Sequence, residues 1–308
     1  MPRLVLIYNP SSTNFKRVQK EILSQKAQLF PDYDLSKEYA VEQIGFAQNV
    51  KNLTKELKDG DICLATGGDA TAAITANAIL ESKKDVTLAV LPYGNFNDLA
   101  RTLGTMKLED TGLSQKGMSA TRLFYPLAIY IDGKFWRYAL CYVTIGMTAR
   151  AVELFDEPKF RKYMQKGHKS SWRSYLALAE WYFKNRHKRD FLPEFTLNGK
   201  PTKKHASDYA AVNGRSMCRV MRGGTDYLRP HIFRSENLKT VSFPHLFVLM
   251  AQSILFRTPG TETIGDRLEF KYPAEVELQA EGEYQVFQNV KTIEVKKGTN
   301  ALKVITKY

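Results

Sequence analysis

The sequence predicts an α/β N-terminal domain built on a parallel sheet, followed by a mostly antiparallel β-sandwich domain. Two observations carry this. Residues 1–122 alternate strand-like and helix-like runs, which calls for a parallel sheet covered on both faces. Residues 123–290 read as strands punctuated by two-residue turn signals. A third observation concerns chemistry: Gly67-Gly68-Asp69-Ala70-Thr71 sits where an apolar strand hands over to a helix.

In the first domain, residues 3–8 are an apolar strand. Val18, Ile22, Leu23, Ala27 and Phe30 form a helical stripe, and residues 37–41 a second strand. Phe46, Val50, Leu53 and Leu57 recur at steps of four, three and four, the signature of one helix face, and Gly60 suits the position beyond its end. Residues 61–65 and 87–91 are further strands, with a helix from Ala70 to about Glu81 between them. Ligands of such sheets bind at the carboxyl ends of the strands. Three polar loops leave those ends: residues 9–13, 67–71 and 92–98.

In the second domain, residues 123–131 and 134–143 flank Asp132-Gly133, and residues 195–197 meet Asn198-Gly199. Residues 208–212 run into Asn213-Gly214, and strands recur through Phe270, Val276, Val286 and Val295. One helical insert interrupts them at residues 160–186. The boundary is expected at 122/123, with residues 291–308 returning to complete the first domain. The chain has no internal repeat and no low-complexity segment.

The bulk numbers narrow the function. The 308 residues are 44% hydrophobic and 25% charged, an ordinary globular composition. Three widely spaced cysteines, Cys63, Cys141 and Cys218, fit neither a zinc site nor a disulfide framework and point to a reduced, cytoplasmic setting. The apolar run Leu4 to Tyr8 is too short for a signal peptide, and no run approaches the roughly 20 residues that span a bilayer. The net charge of +13 implies an anionic partner. Residues 157–190 hold ten Lys or Arg against three acids, +7 of that total. Within them Trp172, Tyr175, Leu176, Ala179 and Phe183 share a helical face beside a basic cluster from Lys184 to Arg189. This suits peripheral attachment to an acidic membrane surface, or else a core-packing helix with a solvated basic end. No helix-turn-helix, zinc-finger, RRM or KH pattern accompanies it, so no nucleic-acid partner is expected.

A glycine pair between strand and helix lets backbone approach a phosphate, and the first helical amides then face it. Asp69 would repel that phosphate unless a cation lies between them, or unless the carboxylate holds a hydroxyl or takes a proton. The turn therefore suggests phosphoryl transfer; the alternative for Asp69 is a helix N-cap. In Pro92-Tyr93-Gly94-Asn95-Phe96-Asn97-Asp98-Leu99-Ala100-Arg101, Asn97 or Asp98 can cap the following helix. Asn9-Pro10-Ser11-Ser12 is the third turn. Each alone is an ordinary turn, but three at one end of one sheet change the odds.

Together these residues resemble the diacylglycerol kinase catalytic-domain family, soluble lipid kinases that include sphingosine kinase-like proteins and are distant relatives of NAD kinases. The family's Gly-Gly-Asp-Gly-Thr is matched by Gly67 to Thr71, its Pro-Leu-Gly-Thr-x-Asn-Asp-Phe-Ala-Arg by Pro92 to Arg101, and its Asn-Pro-x-Ser-Gly by Asn9 to Ser12 without the glycine. The resemblance is sharp in residues 1–104. Weaker matches follow at Ile145 to Ala149, at Asn213-Gly214 with Gly223-Gly224, at Thr225-Asp226, and at Glu281-Gly282-Glu283. The family has acids at the positions of Thr148 and Thr225, an Asp at Glu281 and a Gly at Ala70. Ala70 suits the site if the position is already helical.

The resemblance implies an ATP- and Mg²⁺-dependent kinase acting on the hydroxyl of a membrane lipid, most simply diacylglycerol. Asn9, Ser11 and Ser12 would flank the nucleotide, and Gly67, Gly68, Thr71, Gly94, Asn95, Asn97, Asp98 and Glu283 would hold it. Glu281 is the implied catalytic base and Asp69 its rival. Asp226 is the remaining acid of a family magnesium site. For Glu281 and Glu283 the alternative is an exposed turn with two solvated acids. Two other functions stay open: a non-catalytic nucleotide- or membrane-binding relative, and a kinase of a soluble alcohol such as NAD. Monomer and homodimer both stay open.

Overall fold

The computed structural model describes residues 1–114, 119–150, 154, 180, 181, 184, 192–201, 206–217, 221, 222, 231–236, 261, 262 and 266–307. In chain order the elements are β1 (Leu4–Tyr8), α1 (Phe15–Glu21), α2 (Lys26–Leu29), β2 (Glu38–Ala40), α3 (Phe46–Glu56), β3 (Ile62–Gly67), α4 (Asp69–Ser82), β4 (Thr87–Pro92), α5 (Asp98–Leu103) and β5 (Ala120–Phe124). There follow β6 (Leu127–Ile131), β7 (Lys134–Ala139), β8 (Tyr142–Gly146), α6 (Met147–Arg150), β9 (Phe195–Leu197), β10 (Lys200–Pro201), β11 (Ala206–Val212), β12 (Ser216–Met217) and β13 (Met221–Arg222). The last are β14 (His231–Glu236), β15 (Thr261–Glu262), β16 (Arg267–Ala280), β17 (Glu283–Lys297) and β18 (Leu302–Thr306).

Two compact units result, Met1–Pro126 with Gly298–Tyr308, and Leu127–Lys297. These limits differ from the sequence-based 122/123 and 291 for a hydrogen-bonding reason. Strand β5 pairs along its whole length with β18, so it stays with the first unit. Residues 293–297 pair with β6, so they stay with the second.

The first unit is a six-stranded sheet in the order β2-β1-β3-β4-β18-β5. All pairs are parallel except β18–β5. On one face Leu4, Leu6, Leu64, Ala89 and Leu91 pack with Val18, Ile22 and Phe30. Helix α4 is buried from Thr71 through Leu80, as an all-round apolar run of small residues demands. The single stripe expected over Val18 to Phe30 is broken into α1, a 3₁₀ turn at Leu23–Gln25, and α2. The Ser24 hydroxyl and the Gln25 side-chain Nε2 both donate to the Lys20 carbonyl, at 2.8 and 3.0 Å, drawing it out of the helical ladder.

The second unit is built on an antiparallel sheet whose main path runs β15-β14-β11-β8-β16-β17-β6-β7, with β12 and β13 pairing separately. Strands near both ends of this path, β6 and β11, contribute to the same core through Leu127, Ile129, Tyr209 and Ala211. The sheet therefore curls around that core. Register irregularities in the β16–β17 ladder between Glu269 and Val276 accompany the curl. Asp132-Gly133 and Asn198-Gly199 close hairpins with both residues at positive φ, and Glu281-Gly282 does the same. The expected insert at 160–186 and its aromatic and basic residues fall almost wholly outside the described residues. Among the described residues no helix is long and apolar enough to cross a membrane.

Candidate active site

Three turns gather at the carboxyl edge of the first sheet, where β1, β3 and β4 lie side by side. In the first turn the Asn9 side-chain oxygen accepts the Ser11 amide at 2.8 Å, and its carbonyl accepts the Ser12 amide at 3.0 Å. The Ser11 hydroxyl accepts from Gln43 at 2.8 Å. The Ser12 hydroxyl is buried with no hydrogen-bond partner among the described residues. Asn14, which the sequence reading did not single out, donates to the Tyr93 carbonyl at 3.0 Å and ties this turn to the one after β4.

The second and third turns touch through bare backbone. The Tyr93 amide donates to the Gly67 carbonyl at 3.0 Å. A Cβ placed on Gly94 would stand 2.3 Å from Gly68 Cα, so only glycine fits there. A Cβ on Gly67 would meet the Thr71 hydroxyl at 2.4 Å. Gly68, Ala70, Gly94 and Asn95 form a partly exposed lip, while Gly67, Thr71, Asn97 and Asp98 form its buried support. Ala70 lies inside α4 and is not among the residues at positive φ, as a helical position requires.

Helix α5 is not capped by its own sequence. Asn97 occupies the cap position with φ 56, and its side chain turns back to accept the Gly94 amide at 2.7 Å and donate to the Gly94 carbonyl at 2.8 Å. Asp69 takes over the capping from the neighbouring turn. As the first residue of α4 it does not cap that helix; its carboxylate accepts the Leu99 amide at 3.2 Å and also faces the amides of Asn97 and Asp98. Asp98 is fully buried beside it. Burial and the Asp98 charge push the Asp69 carboxyl from its ordinary 3.8 up to about 7, against the opposing pull of those amides. The residue keeps partial exposure while its carboxyl group is desolvated.

The second unit brings together two of the weaker motif matches. Glu281 and Gly282 form the turn between β16 and β17 with φ 54 and 87. Glu281 is 1% exposed, which overturns the reading of two solvated acids; Glu283 remains partly exposed. The Glu281 carboxylate accepts the amides of Cys141 and Tyr142 at 2.6 and 3.0 Å. Asn213-Gly214 docks on the same β7–β8 connection, its two amides donating to the Cys141 carbonyl at 2.7 and 3.2 Å. Arg137, also missed in the sequence, is buried here, and only its place in the alternation of β7 hinted at it. Thr148, within the Ile145 to Ala149 match, lies in α6, and Asp226 lies outside the described residues.

Residues 3–122 match the model of the diacylglycerol kinase catalytic domain. The matched segment contains all three turns and Asp69. The chain is 33% identical over 106 residues to a diacylglycerol kinase of Bacillus subtilis (strain 168), covering 34% of each chain. It is 36% identical over 103 residues to a diacylglycerol kinase of Staphylococcus epidermidis, covering 33% of this chain and 31% of that one. The chain thus spans about a third of the length of the curated relatives it matches. In fold it resembles a solved diacylglycerol kinase from Bacillus anthracis str. Sterne, at TM-score 0.58 and 14% identity over 98% of this chain and 96% of that one. A second solved structure of a diacylglycerol kinase from that strain reaches TM-score 0.64 at 17% identity, over 99% of this chain and 98% of that one.

Proposed function

We propose that the protein is an ATP- and Mg²⁺-dependent lipid kinase that phosphorylates the hydroxyl of a membrane lipid, diacylglycerol being the acceptor. The observation that carries this is the pair of glycine turns at the ends of β3 and β4, in backbone contact, with Asp69 between them in a diacylglycerol kinase family segment.

The residues present fit a nucleotide. Gly68 and Gly94 leave a lip that any Cβ would fill, and the buried Ser12 hydroxyl is a spare polar partner beside it. They also fit a magnesium ion carried in on the phosphates. Among the described residues no three His, Cys, Asp or Glu form a metal cage, and Mg²⁺ commonly enters with substrate phosphates and one or two carboxylates. Asp69 and Asp98 supply the carboxylates, and their mutual repulsion is what such a cation relieves. When bound, the ion neutralises charge on the transferred group.

Asp69 then has two tasks. It holds the start of α5, and so the Gly94 turn, in register with β3. Its carboxyl lies near 7 with no cation beside it and lower with one, so near neutral pH the ionised carboxylate can accept the acceptor's proton. Glu281, engaged by two backbone amides, holds its turn instead. That engagement also favours the second reading, a non-catalytic nucleotide-binding relative. Peripheral attachment to an acidic membrane surface in the cytoplasm accords with the +13 charge.

Purified protein incubated with labelled ATP and Mg²⁺ decides the matter. Diacylglycerol in mixed micelles, sphingoid bases and NAD are the acceptors to offer. We expect label in phosphatidic acid. Label in NAD alone would move the function to a soluble alcohol, and ATP binding with no labelled acceptor would favour the non-catalytic relative.

A further inference from the structure

We propose that Tyr93 is a positioning residue for the nucleotide, fastening the Gly94 lip to α1 and to the first turn so that the lip is in place before ATP arrives; the inference rests on the nucleotide site proposed above. Tyr93 directly precedes Gly94, is 7% exposed, and shares a core with Val18 and Ile22 beside α1. Each of its polar groups is engaged, and by a different part of the first unit. The amide donates to the Gly67 carbonyl at 3.0 Å. The carbonyl accepts the Asn14 side chain at 3.0 Å. The hydroxyl donates to the Glu21 carboxylate at 3.0 Å. A lip of bare glycine backbone moves freely unless its neighbours fix it. Asn97 holds Gly94 from one side, and Tyr93 holds it from the other.

Helix α1 turns two side chains to this hold rather than to its own ends. Asn14 stands at the cap position, where an Asn side chain ordinarily accepts a helical amide; it makes no capping bond and reaches Tyr93 instead. Glu21 is the last residue of α1, where an acid meets the negative end of the helix dipole. Arg17 holds it there at 2.8 Å, and the Arg17 guanidinium lies over the Tyr93 ring, 5.1 Å from its centre. Arg17 first, then Tyr93, holds the Glu21 carboxyl below its ordinary 4.5. Burial first, then Glu21, raises the Tyr93 phenol above its ordinary 10. The acceptor thus stays ionised and the donor protonated through neutrality. The diacylglycerol kinase pattern carries Leu where Tyr93 stands, so this hold on α1 belongs to residues of this chain.

ATP affinity and amide exchange, rather than turnover, decide it. Full-chain Tyr93→Phe, Tyr93→Leu, Glu21→Ala and the double variant Tyr93→Phe/Glu21→Ala are titrated calorimetrically with ATP and Mg²⁺, well below the unfolding temperature. Hydrogen exchange at the Gly94 amide is followed without ligand. Tyr93→Phe removes one oxygen and should weaken ATP binding by roughly 2- to 10-fold, the cost of ordering a freed group on binding. Tyr93→Leu also loses the ring under Arg17 and should weaken it further. Both should speed exchange at Gly94 and leave the Cys141 amide of the second unit unchanged. The double variant should bind no more weakly than the poorer single variant, since both changes remove one bond. Wild-type affinity in Tyr93→Leu, or losses that multiply in the double variant, would overturn the proposal while ATP binding by the wild type keeps the nucleotide reading intact. Faster exchange with unchanged affinity would also overturn it, leaving Tyr93 a tether of the fold alone. Should Tyr93→Leu fail to fold, Tyr93→Phe carries the same comparison. A wild type that binds no ATP fails the kinase reading itself and this inference with it.

Discussion

Two turns each set a carboxylate beside a glycine, and the molecule treats them in opposite ways. At the end of β3, burial and then the like charge of Asp98 push the Asp69 carboxyl up to about 7, against the backbone amides it accepts. At the end of β16, Glu281 meets two backbone amides and lies near a buried guanidinium. The first carboxyl is left poised to exchange a proton; the second is a fastening. In sequence they look alike, an acid in a Gly-containing turn of a family-like motif. What separates them is desolvation with a like charge at Asp69 against a nearby guanidinium at Glu281, which three-dimensional packing decides.

The contrast is broken most directly by removing each charge in turn. Asp69→Asn keeps an oxygen for the α5 amides but cannot take a proton. It should lower kcat by about 10²- to 10⁴-fold, the range for a lost general base, with an unchanged circular dichroism spectrum. Glu281→Gln keeps an acceptor for the Cys141 and Tyr142 amides and should cost far less. If Glu281→Gln lost as much as Asp69→Asn, the proton acceptor would belong to the second unit.

The glycines of the two turns sharpen the same comparison at the level of stability. Gly94→Ala drives a Cβ to within 2.3 Å of Gly68 Cα, backbone against backbone. It should destabilise by roughly 1–3 kcal/mol, as overpacking does, and weaken ATP binding. Gly282 has nothing within 4 Å of an added Cβ, but its φ is +87. Gly282→Ala should therefore cost only about 1–2 kcal/mol through backbone strain. Urea midpoints and ATP titration calorimetry measure both.

Much of this was legible in the sequence, and the parts that were not have a common cause. Alternating apolar runs placed β1, β3, β4, α3 and α4 within a residue or two, because those elements are dictated by local periodicity. Asp132-Gly133 and Asn198-Gly199 announced their hairpins through residues that tolerate positive φ. Glu281-Gly282-Glu283 reads first as a pair of acids and only in the alternative as a turn, an exposed one, since Glu is a poor residue for positive φ. The cap of α5 was assigned to Asn97 or Asp98 because capping is ordinarily local. The residue that does it, Asp69, is 30 positions away from Leu99 in sequence. Arg137 escaped for the same reason: its partner carbonyl at Ala280 is 143 residues away.

The smallest effect tests the poised state of Asp69 without substrate. Its folded carboxyl holds a proton up to about pH 7, whereas the unfolded chain releases it near the ordinary 3.8. Between those values the folded state binds more protons than the unfolded one, so stability falls as pH rises across that window and levels off above it. The contribution is therefore present at the acid end and lost through neutrality, the reverse of an acid held by a cation. Asp69→Asn carries no titrating proton and should flatten this part of the profile, remaining as stable at pH 8 as at pH 6. Urea midpoints between pH 5 and pH 8 for wild type and variant give the difference directly. A wild-type profile as flat as that of Asp69→Asn would mean that neither burial nor Asp98 burdens Asp69, and the contrast between the two turns would lose its physical basis.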